Sequence, residues 1–386
     1  MQKYEKYDSP PAQVLLPALW RHSDTASADD GAQPVTNPVT YYGRPMIHKP
    51  LWRWYIPLYF VLGGVAGGAA MIGAVAHFLG GEKHRGTVRD ARYLTPVIAL
   101  ISAVLLIADL HRPLRFFNML RVFKLSSPLS VGTWILTAFG MTSGALAGRQ
   151  AAEDNFILPR QSWAGRLARS LPAGPLTALW GLLGLGLGGY TGTLLAVTAV
   201  PLWAAGGVLL GPLFLATALA SGAAALTLMA LGWGKRGKAA DAARAQLETV
   251  EEISALAQLG IVAAREVVVP ARINKPLRHG LWGRVYQFGA IGGGMATPLL
   301  LRLIIRLSGR RVGGVISAIA PTLALLGALA ERFAITEAGK QSADDPLAYQ
   351  ELTRGTPGEA RPTAIEQGKQ APQLPPHRSH VAALDS

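Results

Sequence analysis

The chain of 386 residues is half hydrophobic and 16 % charged, where a soluble globular protein carries about 25 % charge, so composition argues against a water-soluble fold. Its net charge of +14 comes from Lys and Arg in short runs between apolar stretches, a pattern that fits anionic lipid headgroups and argues against nucleic acid as a partner. The absence of cysteine excludes disulfides, thiolate zinc sites and Cys-ligated iron–sulfur clusters within the chain, so any such cluster would sit on another polypeptide.

Residues 1–50 read as a polar N-terminal arm rich in Pro, Asp, Ser and Gln, with a short apolar patch at 14–20. A charged start followed at once by an apolar run is missing, so the first membrane helix is expected to direct insertion itself. Candidate membrane stretches then recur at 55–79, 93–108, 129–148, 176–200, 203–233, 242–269, 282–305 and 312–330, all apolar except the charged 242–269. Most approach the 20 or so residues that cross ~30 Å of hydrocarbon, and 93–108 is short for a span. The expectation is an all-α integral membrane protein of about eight transmembrane helices occupying 51–340, with both termini on one side. Residues 341–386, rich in Pro, Gln and charge, are expected to form a disordered tail. Lys and Arg divide nearly equally between the loops of the two sides, so the positive-inside rule scarcely orients the protein.

The stretch 242–269 differs from its neighbours. Glu251, Gln258 and Arg265 recur every seven residues along one helix face. An ionisable group at membrane depth normally faces a bundle interior or a wet cavity and marks a pathway, so Glu251 and Gln258 are candidate proton-path residues; a solvated helix end is the competing explanation.

Gly184, Gly186 and Gly189 match G-x-G-x-x-G, but they sit inside an apolar helix-length run without the strand that a dinucleotide site requires. Gly63, Gly64, Gly67 and Gly68 form two overlapping small-xxx-small pairs that suit close helix packing, or close approach of a flat ring. Of the eight histidines only His77 falls plausibly inside a helix, so a b-type haem held between two histidines is not expected. No zinc or di-iron spacing is present either.

The densest polar segment is Asp-Leu-His-Arg-Pro-Leu-Arg-Phe-Phe-Asn at 109–118, running on through Arg121 and Lys124 to Trp134. Headgroup anchoring accounts for some of these cations. Asp109, His111 and Arg112 together suit proton exchange beside a redox headgroup, because a guanidinium next to a carboxylate tunes when that acid protonates.

Several ordered motifs over residues 41–345 resemble the NrfD/polysulfide-reductase membrane-subunit family. They are Tyr-Tyr-Gly-Arg-Pro at 41–45, the run from Trp52 to Gly68, the 109–134 segment, 190–203 from Tyr190 to Trp203, Ser221-Gly222, and Arg-Phe-Ala-Ile-Thr-Glu-Ala-Gly at 332–339. The resemblance implies two four-helix bundles in a bacterial cytoplasmic (inner) membrane, binding menaquinone or ubiquinone, without haem and without an iron–sulfur cluster in this chain. It further implies a ferredoxin-like iron–sulfur subunit as partner, itself attached to a molybdopterin or multihaem catalytic subunit. Carried onto this sequence, Tyr55, Tyr59 and Tyr190 become donors to a quinone carbonyl, with Gly64 and Gly67 offering backbone approach. Some relatives have Asn and His in the matching part of the first helix, where this sequence has Tyr and Ile. A Gly-rich small-solute transporter and a structural membrane anchor are the alternative readings.

Overall fold

The computed structural model describes residues 47, 49–110, 112–124, 127–232, 238–308 and 314–354, and these contain helices and turns and no strand. The first long helix, α1 (Tyr55–Leu79), carries no Asp, Glu, Lys or Arg, and it stops where Gly80 and the left-handed Gly81 turn the backbone. After a short 3-10 turn, α2 (Arg85–Asp109) begins eight residues earlier than the apolar stretch at 93–108. The extra two turns carry Arg89, Asp90 and Arg92, and pairing lets them stay helical. Arg89 Nε meets Asp154 Oδ2 at 2.7 Å, while Arg92 donates to Gln150 Oε1 at 3.0 Å and Thr177 Oγ1 at 3.3 Å. Burial pushes the Asp154 carboxyl up, but hydrogen bonds from Tyr93, Gln150 and Arg89 outweigh it and hold the group below the ordinary carboxylate range.

A six-residue helix, α3 (Phe116–Arg121), precedes α4 (Pro128–Glu153). Pro128 occupies the first turn, where its missing N–H costs nothing, and Ser127 caps it by accepting from Ser130 N at 3.4 Å. The amphipathic α5 (Trp163–Ser170) leads into α6 (Ala173–Ala196), which absorbs the G-x-G-x-x-G run as plain helix. The following α7 (Pro201–Gly232) bends at Gly207, whose φ of 31° and ψ of −115° interrupt the helical geometry.

The helix α8 (Lys238–Val268) spans 31 residues. Among the described residues, seven helical segments are long and apolar enough to cross a membrane, and α8 is not one of them because of its charges. Then come α9 (Ala271–Arg278) and α10 (Gly280–Arg284), a π-helical stretch over Val285–Ala296, and α11 (Thr297–Ser308). The widened π turns contain Gly289, Gly292, Gly293 and Gly294. At Gly294 the backbone meets that of Gly327 directly, so a side chain on either residue would have no room.

The final long helix, α12 (Gly314–Ser342), runs twelve residues past the expected end at 330, and α13 (Pro346–Arg354) follows it. The tail expected to be disordered from 341 is therefore helical in its first part. Ala348 is buried in the main core, and Lys49 Nζ reaches Asp344 Oδ1 at 2.9 Å, which together tie this end down. The arm expected over 1–50 lies almost wholly outside the described residues, as does the tail beyond 354.

Packing centres on α1, which lies against α2, α6 and α7. Contacts of α2 with α4 and of α4 with α6 close a ring of four helices, and α7 connects this ring to α8 and α12. Trp180, Trp203, Phe60, Phe139 and Phe214 are fully buried between the helices. Large apolar side chains such as Val104, Leu182 and Phe288 point outward, as a lipid-facing surface requires.

Candidate functional site

A cavity of about 220 Å³ opens where α1 and α4 begin and α2 and α6 end. Alternation of helix direction thus brings residues far apart in sequence to one end of the molecule. Ile56, Phe60, Leu106 and Leu194 make its walls apolar, and Tyr59, Tyr190 and Asp109 supply polar groups. Tyr59 is buried, and among the described residues no group accepts its hydroxyl. Tyr190 donates its hydroxyl to the carbonyl of Pro128, which fixes the ring against Gly132. A Cβ at Gly132 would overlap the Tyr190 ring, so the small residue there sets the position of the phenol. Asp109 closes the membrane-end side, its Oδ1 facing the amide of Arg53 at 3.4 Å.

Three of the expected residues therefore converge, and others do not. Tyr55 lies tilted against Trp54, with ring centroids 4.2 Å apart, and does not line the cavity. Gly67 packs on the backbone of Gly184 and Gly188 in α6, and Gly64 lies in ordinary contact with Ala218, so both serve helix packing. Arg112 is exposed and forms no ion pair with Asp109 among the described residues, because the extended backbone at Leu110 and Arg112 carries the guanidinium away. His111 lies outside the described residues.

A second polar cluster fills the space between α7, α8 and α12. Glu331 and Arg332 are 0 % and 1 % exposed. Glu331 Oε1 pairs with Arg332 Nη1 at 2.9 Å, and its Oε2 accepts from Thr217 Oγ1 at 2.7 Å. Thr217 also lies 3.2 Å from Gln258 Oε1, while Arg332 donates to the Phe214 carbonyl at 2.9 Å and covers the Phe214 ring. Further along α8, buried Glu251 pairs with Arg302 at 2.6 Å, and Glu252 with Arg306 at 2.8 Å. Arg265 is buried beside Tyr286. The heptad face of Glu251, Gln258 and Arg265 thus points inward along its whole length.

Residues 45–343 match the family described as Polysulphide reductase, NrfD. The protein belongs to the NrfD family. It is 27 % identical over 314 residues to the C subunit of polysulfide reductase from Wolinella succinogenes, an overlap of 75 % of the present sequence and 94 % of that relative. It is 26 % identical over 284 residues to the Protein NrfD homolog of Haemophilus influenzae, covering 67 % and 85 % respectively.

The NrfD match takes in every helix from α1 to α12, so both the tyrosine cavity and the charged cluster belong to the family domain. Three of the cluster's residues in this NrfD protein, Glu331, Thr217 and Arg302, are not among the sequence candidates. The charges of Glu331 and Arg332 read as a membrane boundary, yet apolar residues continue on both sides of them, and that continuation is the signal of a helix passing through. Adjacent opposite charges neutralise one another and so tolerate burial that neither would tolerate alone.

Proposed function

We propose that this protein is the quinone-binding membrane subunit of a multisubunit respiratory oxidoreductase in a bacterial cytoplasmic membrane, built as eight spans in two four-helix groups with α8 as the charged span. In this reading menaquinone or ubiquinone occupies the cavity at Tyr59, Tyr190 and Asp109 and supplies two-electron, two-proton chemistry when bound. The observation that carries it is the convergence of these three side chains on one apolar pocket with the Tyr59 hydroxyl uncommitted. A buried phenol ordinarily finds an acceptor, and a ring carbonyl in the pocket provides one.

The protein's own part is to bind, orient and handle protons. Tyr59 donates to the ring oxygen, Tyr190 walls the opposite side, and Ile56, Phe60 and Leu106 keep water from the flanks. Asp109 stands at the membrane end, where it takes or returns the proton. Above it on the same face of α2 lie Ser102 and Thr95, at seven-residue intervals, both buried hydroxyls without a protein partner. Such groups cost about 1–3 kcal/mol each unless water completes them. Glu251 and Gln258 offer a second proton route along α8. Replacing Glu251 with Gln is expected to reduce proton translocation in proteoliposomes, and unchanged translocation removes that route.

At the same end, Leu114, Phe117 and Phe123 are exposed beside Arg112, Arg121 and Lys124. This mixture of apolar and basic groups suits docking of a ferredoxin-like iron–sulfur subunit, itself linked to a molybdopterin or multihaem catalytic subunit. The test is purification of the tagged protein from its native membrane in mild detergent, with quinone extraction and identification of co-purifying subunits. Quinone together with a cluster-bearing protein is the expected result. The tagged protein alone, without quinone, would favour a solute transporter, and the complex without quinone would favour a structural anchor.

A further inference from the structure

A second and larger cavity, about 370 Å³, lies at the other end of α1, and α1 as a helix of 25 residues is roughly 37 Å long. The two cavities are therefore separate sites. The larger is a cleft between α1 and α8. These two helices pack chiefly on other neighbours, α1 on α2, α6 and α7, and α8 on α7. Met71, Val75 and Leu79 form one wall, Leu247 and Val250 the other, and Leu219 of α7 the floor. Val75 and Leu79 are exposed, so the cleft opens sideways toward lipid.

Its polar groups are gathered at one end. His84 Nδ1 donates to the Gly80 carbonyl at 2.5 Å, its Nε2 meets the Gln246 side chain, and Thr87 stands beside them. Exposed Lys83 and Arg85 flank His84, Arg85 also pairing with exposed Glu82. A gap of this size leaves its apolar walls without dispersion partners unless something fills it. A filler with an apolar body and an anionic polar end complements both these walls and the Lys83 side chain beside His84.

We infer that the α1–α8 cleft is a binding site for one anionic phospholipid, with an acyl chain between the two helices and the ester and phosphate region at His84, Gln246 and the basic turn. The inference is independent of the quinone reading, which concerns the opposite end of α1. A lipid there completes the contact between α1 and α8 that the protein leaves open.

The experiment equilibrates the native complex with vesicles of phosphatidylglycerol or of phosphatidylcholine and counts retained lipids by native mass spectrometry. One phosphatidylglycerol per protomer is expected, preferred roughly tenfold, the scale that a few basic side chains at a membrane surface give. Ala76→Trp, which fills the cleft, should lose that lipid, while Val104→Trp on the outward face of α2 should keep it. Quinone content, measured on the same samples, should not change. Equal retention by wild type and Ala76→Trp, or no preference for the anionic lipid, overturns the inference. Should Ala76→Trp fail to accumulate, wild-type complex is crosslinked with phosphatidylglycerol bearing a diazirine in its acyl chain. Adducts within 71–79 or 243–250 support the site. Adducts only elsewhere, or adducts there that added quinone displaces, overturn it.

Discussion

The tyrosine cavity and the charged cluster around Glu331 place polar groups at membrane depth in opposite ways. In the cavity Ile56, Phe60 and Leu106 surround Tyr59, whose hydroxyl no described group accepts. The cluster pairs most of its charges, although Arg265 keeps its Nε and one Nη without a hydrogen-bond partner among the described residues. Glu331 pairs with Arg332, Glu251 with Arg302, and Thr217 connects Glu331 to Gln258. The lesson is that buried polarity alone does not mark a binding site.

The sharpest way to break this comparison is to strip one partner from the closed cluster. Glu331→Leu strands the Arg332 guanidinium and is expected to cost about 3–5 kcal/mol, measured by chemical denaturation of the purified complex. Glu331→Gln, which keeps a group near Thr217, should cost less. Equal denaturation midpoints for all three proteins would show that the cluster does not hold the helices.

The open cavity should answer differently. Gly132→Val drives a side chain into the Tyr190 ring, and the overpacking is expected to lower stability by about 1–3 kcal/mol while quinone retention in the purified protein falls below detection. Retention at the wild-type level would move the ligand away from Tyr190. Tyr59→Phe removes one hydrogen bond and little volume, so quinone-analogue affinity should weaken about threefold to tenfold, with the denaturation midpoint unchanged. A shifted midpoint with unchanged affinity would make Tyr59 a packing residue.

The smallest effect belongs to neither region and serves as their baseline. The Asp154 carboxyl is held below its ordinary value of 3.8 by Tyr93, Gln150 and Arg89. Its stabilisation is therefore full above the unfolded value and is lost as pH falls through the lower folded one. Asp154→Asn should cost less than about 1 kcal/mol at neutral pH, given how near the surface the group lies, and the difference from wild type should shrink steadily as pH falls below 3.8. A difference that persists in acid would place its origin in packing instead of charge.

Much of the architecture is legible from hydropathy, because a helix in lipid must satisfy its backbone internally and present apolar side chains over a fixed length. The span at 55–79 coincides with α1. Hydropathy misplaces helix ends where charge looks like a boundary. Arg89 and Arg92 lie within α2, and Glu331 and Arg332 within α12, since each finds a partner on another helix or beside it. At the site, Tyr59, Tyr190 and Asp109 are candidates from the sequence, and they meet. Gly64 and Gly67 are candidates too, but they pack helices, because a glycine pattern reads the same whether the neighbour is a ring or another backbone.

Composition and periodicity therefore determined the helical membrane class, most of the spans and the single polar face of α8, since those depend on solvent and on the helical repeat alone, while burial in the folded protein shows that this face points inward. Tertiary packing decided which polar groups are paired and which are left open. Pairing depends on contacts such as the 2.7 Å between Thr217 and Glu331, across helices that the order of the sequence leaves far apart. That is why the difference between a largely paired charge cluster and an open, apolar-walled cavity appears only once the helices are in place.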